Sequence, residues 1–333
     1  DGFSIWPTEY SDYNISATPY KKDVLMALKK ACDKHDIMFG TYYSINDWKH
    51  PYYPLGSPGG KTKKETGDMK KFIPFIKGQT KELIEKYDTK ILWFDGEWEE
   101  PWTHEMGQDL YQYLKSLDEN ILINNRVDKG RKGMEGITIS DEYAGDFATP
   151  EQQVGNYDIE NPWESCITIC KQWAWKPDDK MKSFQETLFT LLKTVGGGGN
   201  LLLNVGPLPD GRIEPRQVSR LKEIGSWLDE NGESVYGTTG GPYKPAEWLT
   251  STRKGNSIFV HLLNYDKESL ELPFPFNTNI ESCSVLNGEK LDYTKKGKSL
   301  IIQLPKNSSK KMVQVLKIDT SGDTKSLQSV DVL

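Results

Sequence analysis

The chain has 333 residues, more than one typical domain, so a barrel-sized unit with a smaller second one is expected. Its formal net charge of −6 argues against a nucleic-acid partner, for which a basic stripe is expected, and no apolar run reaches the length of a membrane span. Ten tryptophans and sixteen tyrosines suit carbohydrate handling, because an aromatic face stacks on sugar C–H groups, although most such rings pack in a core.

In chain order, Asp1 stands where an initiator Met would be expected, which reads as a processed or cut end with any leader lying before it. Thr18-Pro19 reads as an N-cap followed by proline at the first helical position, with Val24, Leu25, Leu28, Ala31 and Cys32 recurring at helical spacing. Strand-like apolar runs follow at 37–44, 90–96, 120–127, 136–142, 165–175 and 200–206, alternating with amphipathic helical stretches. That alternation is the pattern of βα units around a parallel sheet. Glu214-Pro215 opens another helix, with Val218, Leu221, Ile224 and Leu228 on one face. The glycines at 196–199 are followed by neither Lys-Ser nor Lys-Thr, so they predict a tight helix-to-strand turn and not a phosphate loop.

From about residue 237 the texture changes to short alternating stretches separated by Gly, Pro and Asn, such as 257–262 and 299–304. The chain is therefore read as a barrel domain over 1–238 and an all-β sandwich domain over 239–333, whose last dozen residues form a loose polar tail. The six candidate strands, with a seventh suggested by Asp1-Gly2-Phe3, fall short of a closed eight-stranded barrel. The deficit sits at the amino end, so barrel-forming sequence is expected to be missing there. Cys32, Cys166, Cys170 and Cys283 are too few and scattered for a disulfide framework. Cys166 and Cys170 have a C-x3-C spacing with no histidine nearby, so mostly buried thiols and no metal site are expected.

The stretch Ile91-Leu92-Trp93-Phe94-Asp95-Gly96 carries the strongest chemical signal. A buried-type strand ending in a carboxylate puts that group where parallel α/β folds place their chemistry. Asp-Gly is also a common turn dipeptide, so a plain turn remains the alternative. Trp93, two residues back, points to the same side of a strand as Asp95 and would form a wall for a sugar.

Taken in order, several segments resemble the family 29 glycoside hydrolases, the retaining α-L-fucosidases. They are Asp1-Gly2-Phe3, Gly40-Thr41-Tyr42-Tyr43-Ser44 with Asp47-Trp48, Leu92-Trp93-Phe94-Asp95-Gly96, Asn125-Arg126, Pro162-Trp163-Glu164-Ser165-Cys166, and the run from Gly198 to Pro207 followed by Asp210-Gly211. The resemblance implies a (β/α)8-like barrel, incomplete at its N-terminus in this chain, followed by a C-terminal β-sandwich. It also implies a fucosylated oligosaccharide or glycoconjugate as substrate, no cofactor, and a secreted, periplasmic or lysosome-like setting. Family members carry a fucose-binding His-His pair just before the Asp-Gly-Phe, and the present sequence begins one residue too late to contain it. The oligomeric state is left open.

By the resemblance, Asp95 is the catalytic nucleophile. Its acid/base partner is Glu151, in Thr149-Pro150-Glu151-Gln152, with Glu164 of the Trp-Glu-Ser-Cys motif as the alternative and Asp141, Glu142 and Asp146 behind them. Tyr42 matches a position beside the fucose ring, with Tyr43 and Trp48 as neighbours, and Arg126 matches an arginine near the nucleophile. Trp173 and Trp175 replace the family's usual Trp-Gly-Tyr and would wall the fucose methyl group. A non-catalytic carbohydrate-binding protein on a hydrolase scaffold is the competing class.

Overall fold

The computed structural model describes residues 2–306 and 311–332, which fall into two compact units meeting at the Thr149-Pro150 bond. In the first unit, α1 (Val24–Lys34), β1 (Gly40–Ser44), α2 (Met69–Glu85), β2 (Ile91–Asp95), α3 (His104–Leu117) and β3 (Leu122–Ile123) alternate. The strands form a parallel sheet in the order β1-β2-β3. On β2, Leu92 and Phe94 are fully buried and share a core with Phe72, Ile76 and Leu83 of α2 and with Leu110 and Leu114 of α3. Trp93 and Asp95 therefore emerge on the opposite face of the strand.

Three expectations change here. Thr18 does not open α1. Its hydroxyl donates to the Ile15 carbonyl and closes a preceding 3-10 turn, while Asp23 caps the helix by accepting from the Met26 N–H at 2.9 Å. The strand expected over 120–127 shrinks to two residues because the Asn124 side chain takes over the ladder. Its Nδ2 donates to the Phe94 carbonyl at 2.9 Å and its Oδ1 accepts from the Phe94 N–H at 2.8 Å, after which Asn125–Val127 turns as a 3-10 helix. The strand expected over 136–142 does not form. Gly136 is left-handed at φ 70°, and Ile137 and Ile139 are 38% and 57% exposed, having no sheet face to cover.

The second unit begins with β4 (Glu164–Thr168), α4 (Phe184–Gly196), β5 (Asn200–Asn204) and α5 (Pro215–Asn231), β4 and β5 being parallel. The strand expected over 165–175 ends at Thr168, whose hydroxyl turns back to the Cys170 carbonyl while the Lys182 N–H caps the Ile169 carbonyl at 2.9 Å. The glycine run makes the helix-to-strand turn. Gly198 sits at φ 94°, and a side chain there would press to 2.4 Å from the Asp158 carbonyl oxygen. At Gly199 a Cβ would lie 2.4 Å from the Trp163 ring.

The rest is β-rich: β6 (Thr239–Gly240), β7 (Leu249–Lys254), β8 (Ser257–Leu263), β9 (Ser269–Pro273), β10 (Ile280–Val285), β11 (Tyr293–Lys296), β12 (Ser299–Gln303) and β13 (Val313–Thr320). They form two antiparallel sheets, β10-β13-β8-β7-β6 and β11-β12-β9. Leu270, Leu272, Leu300 and Ile302 of the smaller sheet share a core with Leu249, Ile258, Val260, Leu316 and Ile318 of the larger. The C-terminal segment is not the loose tail expected. Arg253, itself buried, donates to the Thr324 and Leu327 carbonyls at 2.9 and 2.7 Å, and Val330 bridges to Tyr243. Three of the four thiols are buried, and Cys32 is half-buried. Among the described residues no helix is long and apolar enough to cross a membrane.

One buried group in this region makes stability depend on pH. His261 of β8 is fully enclosed, with Nε2 3.0 Å from Ser234 Oγ, and burial pulls its pKa down from 6.5 to about 4. The unfolded chain takes up a proton near pH 6.5 and the folded one does not. Stability is therefore unaffected above that pH and falls progressively as pH drops from 6.5 towards 4, by about 3 kcal/mol in the limit. Urea unfolding between pH 7 and 4.5 should show this slope, and His261→Gln should flatten it.

Candidate active site

At the carboxyl end of β2, Asp95 is held through both oxygens. Arg126, in the 3-10 turn after β3, donates from Nη1 to Oδ1 at 2.6 Å. Tyr42 of β1 donates its hydroxyl to Oδ2 at 2.8 Å. The register that pairs Tyr42 with Trp93 and Ser44 with Asp95 brings these groups together. The Tyr42 ring stacks on Trp93 with centroids 5.8 Å apart, and the Arg126 guanidinium carbon lies 4.5 Å from the centre of the same indole. The Arg126 side chain is 2% exposed and that of Asp95 is 20% exposed, so the cation is enclosed while the carboxylate keeps access to solvent.

The chain reverses immediately after the carboxylate. Gly96 adopts φ 97°, and a Cβ there would fall 2.5 Å from the Asn46 side chain, so glycine is required at this bend. Behind the bend, Glu99 accepts from the Tyr53 hydroxyl at 2.5 Å and from the Trp48 indole at 3.2 Å. Arg131 pairs with Glu97 at 2.6 Å; burial raises the Glu97 carboxyl above its ordinary value against the pull of that arginine.

The remaining sequence candidates are distributed as follows. Tyr43 alternates to the core face of β1, where its hydroxyl donates to Gln79 at 2.8 Å, and it does not join the Asp95 cluster. Trp48 spends its indole N–H on Glu99. Asp146 accepts from Tyr111 and from the Ile123 N–H and pairs with Lys115, a structural role, while Asp141 and Glu142 are exposed. Glu151 and Glu164 belong to the second unit. Glu151 lies in an extended stretch bridged to Cys166 of β4, where the Cys166 N–H bonds the Pro150 carbonyl and the Gln152 N–H bonds the Cys166 carbonyl, both at 2.9 Å. Glu164 is the first residue of β4, in register with Asn200. Trp173 and Trp175 sit on the loop beside the end of β5. The Trp173 carbonyl accepts from Asn204 Nδ2 at 2.9 Å, and Gly206 lets the backbone pass Trp175.

Two participants escaped the sequence reading. Thr149 is fully buried; it accepts from Arg126 Nε at 3.0 Å and donates to Asn125 Oδ1 at 2.9 Å, fixing the far side of the guanidinium. The Thr-Pro-Glu segment drew attention only to its glutamate. Asn124 clamps the strand one residue before the carboxylate, and its only sequence signal was an asparagine breaking an apolar run.

Asp95 thus stands at a parallel strand end, oriented by Arg126 and Tyr42 beside the Trp93 ring. The family model described as alpha-L-fucosidase matches residues 1–233. The chain belongs to the α-L-fucosidase family, a family of glycoside hydrolases. It is 29% identical to a tissue alpha-L-fucosidase from Macaca fascicularis, with 92% of this chain and 65% of that protein aligned. With a plasma alpha-L-fucosidase from Pongo abelii the identity is 30%, over 79% of this chain and 57% of that one. The chain thus spans less than two thirds of either relative. A solved family 29 enzyme from Bacteroides thetaiotaomicron, trapped as a covalent intermediate with 2-fluoro-fucosyl fluoride in a Glu-to-Gln mutant, superposes with a TM-score of 0.85 at 26% identity, covering 96% of this chain and 76% of that one.

Because Asn124 satisfies both backbone groups of Phe94 inside the core, Asn124→Ala should lower stability by about 2 kcal/mol through two unpaired buried polar groups. Chemical denaturation checks the loss. Asn124→Asp should be at least as damaging, since a carboxylate cannot donate to the Phe94 carbonyl.

Proposed function

We infer that the protein removes terminal α-L-fucose from glycans with retention of configuration, through a covalent glycosyl-aspartate on Asp95. The observation that carries this reading is the doubly anchored but solvent-accessible carboxylate, with Arg126 on Oδ1 and Tyr42 on Oδ2. The Bacteroides relative trapped as a covalent intermediate supports the same chemistry. In the first step a carboxylate oxygen of Asp95 bonds to the anomeric carbon as the glycosidic bond breaks, and an acid protonates the departing oxygen. In the second step the same residue, now a base, takes a proton from water, which attacks the anomeric carbon and frees Asp95. We assign this acid/base role to Glu151 on the family resemblance of its Thr149-Pro150-Glu151 segment, with Glu164, the first residue of β4, as the alternative. Tyr42, Trp93, Trp173 and Trp175 wall the sugar, and Arg126 orients the nucleophile.

The fold reading goes with it. The parallel strands β1 to β5 and their helices belong to a (β/α)8-like barrel domain ending near residue 238, and the two antiparallel sheets after it make a β-sandwich. The end of the family match at residue 233 supports that boundary. The substrate is a fucosylated glycan, and the tissue and plasma names of the relatives support a secreted or lysosome-like setting.

Asp95→Gly removes the anion beside the enclosed Arg126 and should lower stability; the folded variant should hydrolyse an aryl α-L-fucoside more slowly by several orders of magnitude, with partial rescue by azide as external nucleophile. Retention of most activity sinks the nucleophile assignment. Wild-type protein that binds fucosides without cleaving any would instead favour a carbohydrate-binding role.

The two glutamates are separated by leaving group. Glu151→Gln should slow substrates with poor leaving groups far more than activated aryl fucosides, because only the former need a proton on the departing oxygen. Glu164→Gln should lower activity evenly or reduce stability. The reverse pattern transfers the acid/base role to Glu164.

A further inference from the structure

The β-rich region carries a cavity of about 820 Å3 that the proposed hydrolysis does not use. Trp248, just before β7, and Tyr265, just after β8, line it. Both are half-buried, with ring centroids 5.1 Å apart and planes inclined by 32°, so they pack against each other as one aromatic pair in the cavity lining. The Tyr265 hydroxyl is anchored on the Ser269 carbonyl at 2.9 Å, which holds the ring in place.

The polar lining has no dominant sign: it includes Asp266, Glu271 and Asp331 together with Lys267 and Lys298. Two of the carboxylates already have partners, Glu271 accepting from the Ser299 hydroxyl at 2.5 Å and Asp331 pairing with Lys244 at 3.2 Å. A polyanion would meet the three carboxylates and a polycation the two lysines. An apolar ligand would strip water from all of them without compensation. A neutral polyhydroxylated chain meets none of these costs, since each hydroxyl both donates and accepts and its C–H faces stack on the rings. The volume lies towards the upper part of the roughly 300–1,000 Å3 range of ligand sites, which suits an oligosaccharide better than a single sugar.

We propose that this cavity is a second, non-catalytic glycan site that holds a neutral oligosaccharide chain on the Trp248 and Tyr265 rings. It does not depend on the hydrolytic reading, and it would let the protein hold the body of a glycan separately from the residue it cleaves.

The test uses the full chain and probes that carry no fucose: the neutral tetrasaccharide lacto-N-tetraose, the neutral xyloglucan heptasaccharide, and a heparin-derived tetrasaccharide as polyanion control. Calorimetry should show one of the neutral probes binding with one site per chain and the heparin fragment not binding. Tyr265→Ala should weaken that binding by about tenfold or more, the scale of a lost ring contact. Its kcat/KM on an aryl α-L-fucoside should stay unchanged. If Tyr265→Ala does not fold, Ser269→Trp, at an exposed position in the cavity lining, should weaken binding by about tenfold or more by obstructing the space beside Tyr265. The proposal is overturned if neither neutral probe binds, if the heparin fragment binds more tightly, or if folded variants bind as well as the wild type. Because no probe contains fucose, a failed fucosidase assignment leaves this result readable.

Discussion

The Arg126 guanidinium is enclosed and requires an anion, and the sheet supplies Asp95. Leaving a buried charge unpaired costs about 3–5 kcal/mol, so the geometry around this pair is constrained by folding as well as by chemistry. The contacts close into a ring. Asp95 holds Arg126, Arg126 lies over Trp93, Trp93 stacks on Tyr42, and Tyr42 donates back to Asp95. No member can shift without disturbing two others, so the carboxylate is kept in one orientation.

That ring exists because of strand register. Residues of β1 and β2 alternate between faces, so Leu92 and Phe94 enter the core and Trp93 and Asp95 face outward with Tyr42. A slip of one residue would bury the carboxylate and expose two large apolar side chains. Asn124 guards against it by clamping Phe94 from a neighbouring segment, and Gly96 makes the bend that ends the strand at the carboxylate.

The β-rich region follows a different logic, in which buried polar groups tie segments together. Arg253 fastens the last residues through two carbonyls, and Thr252 of β7 donates to the Ser234 carbonyl at 2.6 Å, linking the sheet to the turn after α5. Such side-chain bonds make an irregular terminus part of the domain. They also keep the rim of its cavity, including Asp331 and Val332, in place.

Local patterning in the sequence determined the βα alternation, the change to β structure near residue 237, the glycine turn before β5 and the strand that presents Asp95. Each depends on neighbours within a few positions. The resemblance to the fucosidase family rests on the ordered motifs around those same strands. Tertiary structure alone decided where 120–127 stops being a strand, that 136–142 has no sheet to join, and that Asp23 and not Thr18 caps α1. It also decided that the terminal segment is anchored and that Thr149 braces Arg126. In four of these cases the deciding partner is distant in sequence: Phe94 for 120–127, Tyr87, whose hydroxyl donates to Asp23 at 2.7 Å, for the cap of α1, Arg253 for the terminal segment and Arg126 for Thr149. Tyr42 and Tyr43 make the contrast plain: adjacent tyrosines of equal chemistry, one on Asp95 and one in the core, separated only by which face of β1 each occupies.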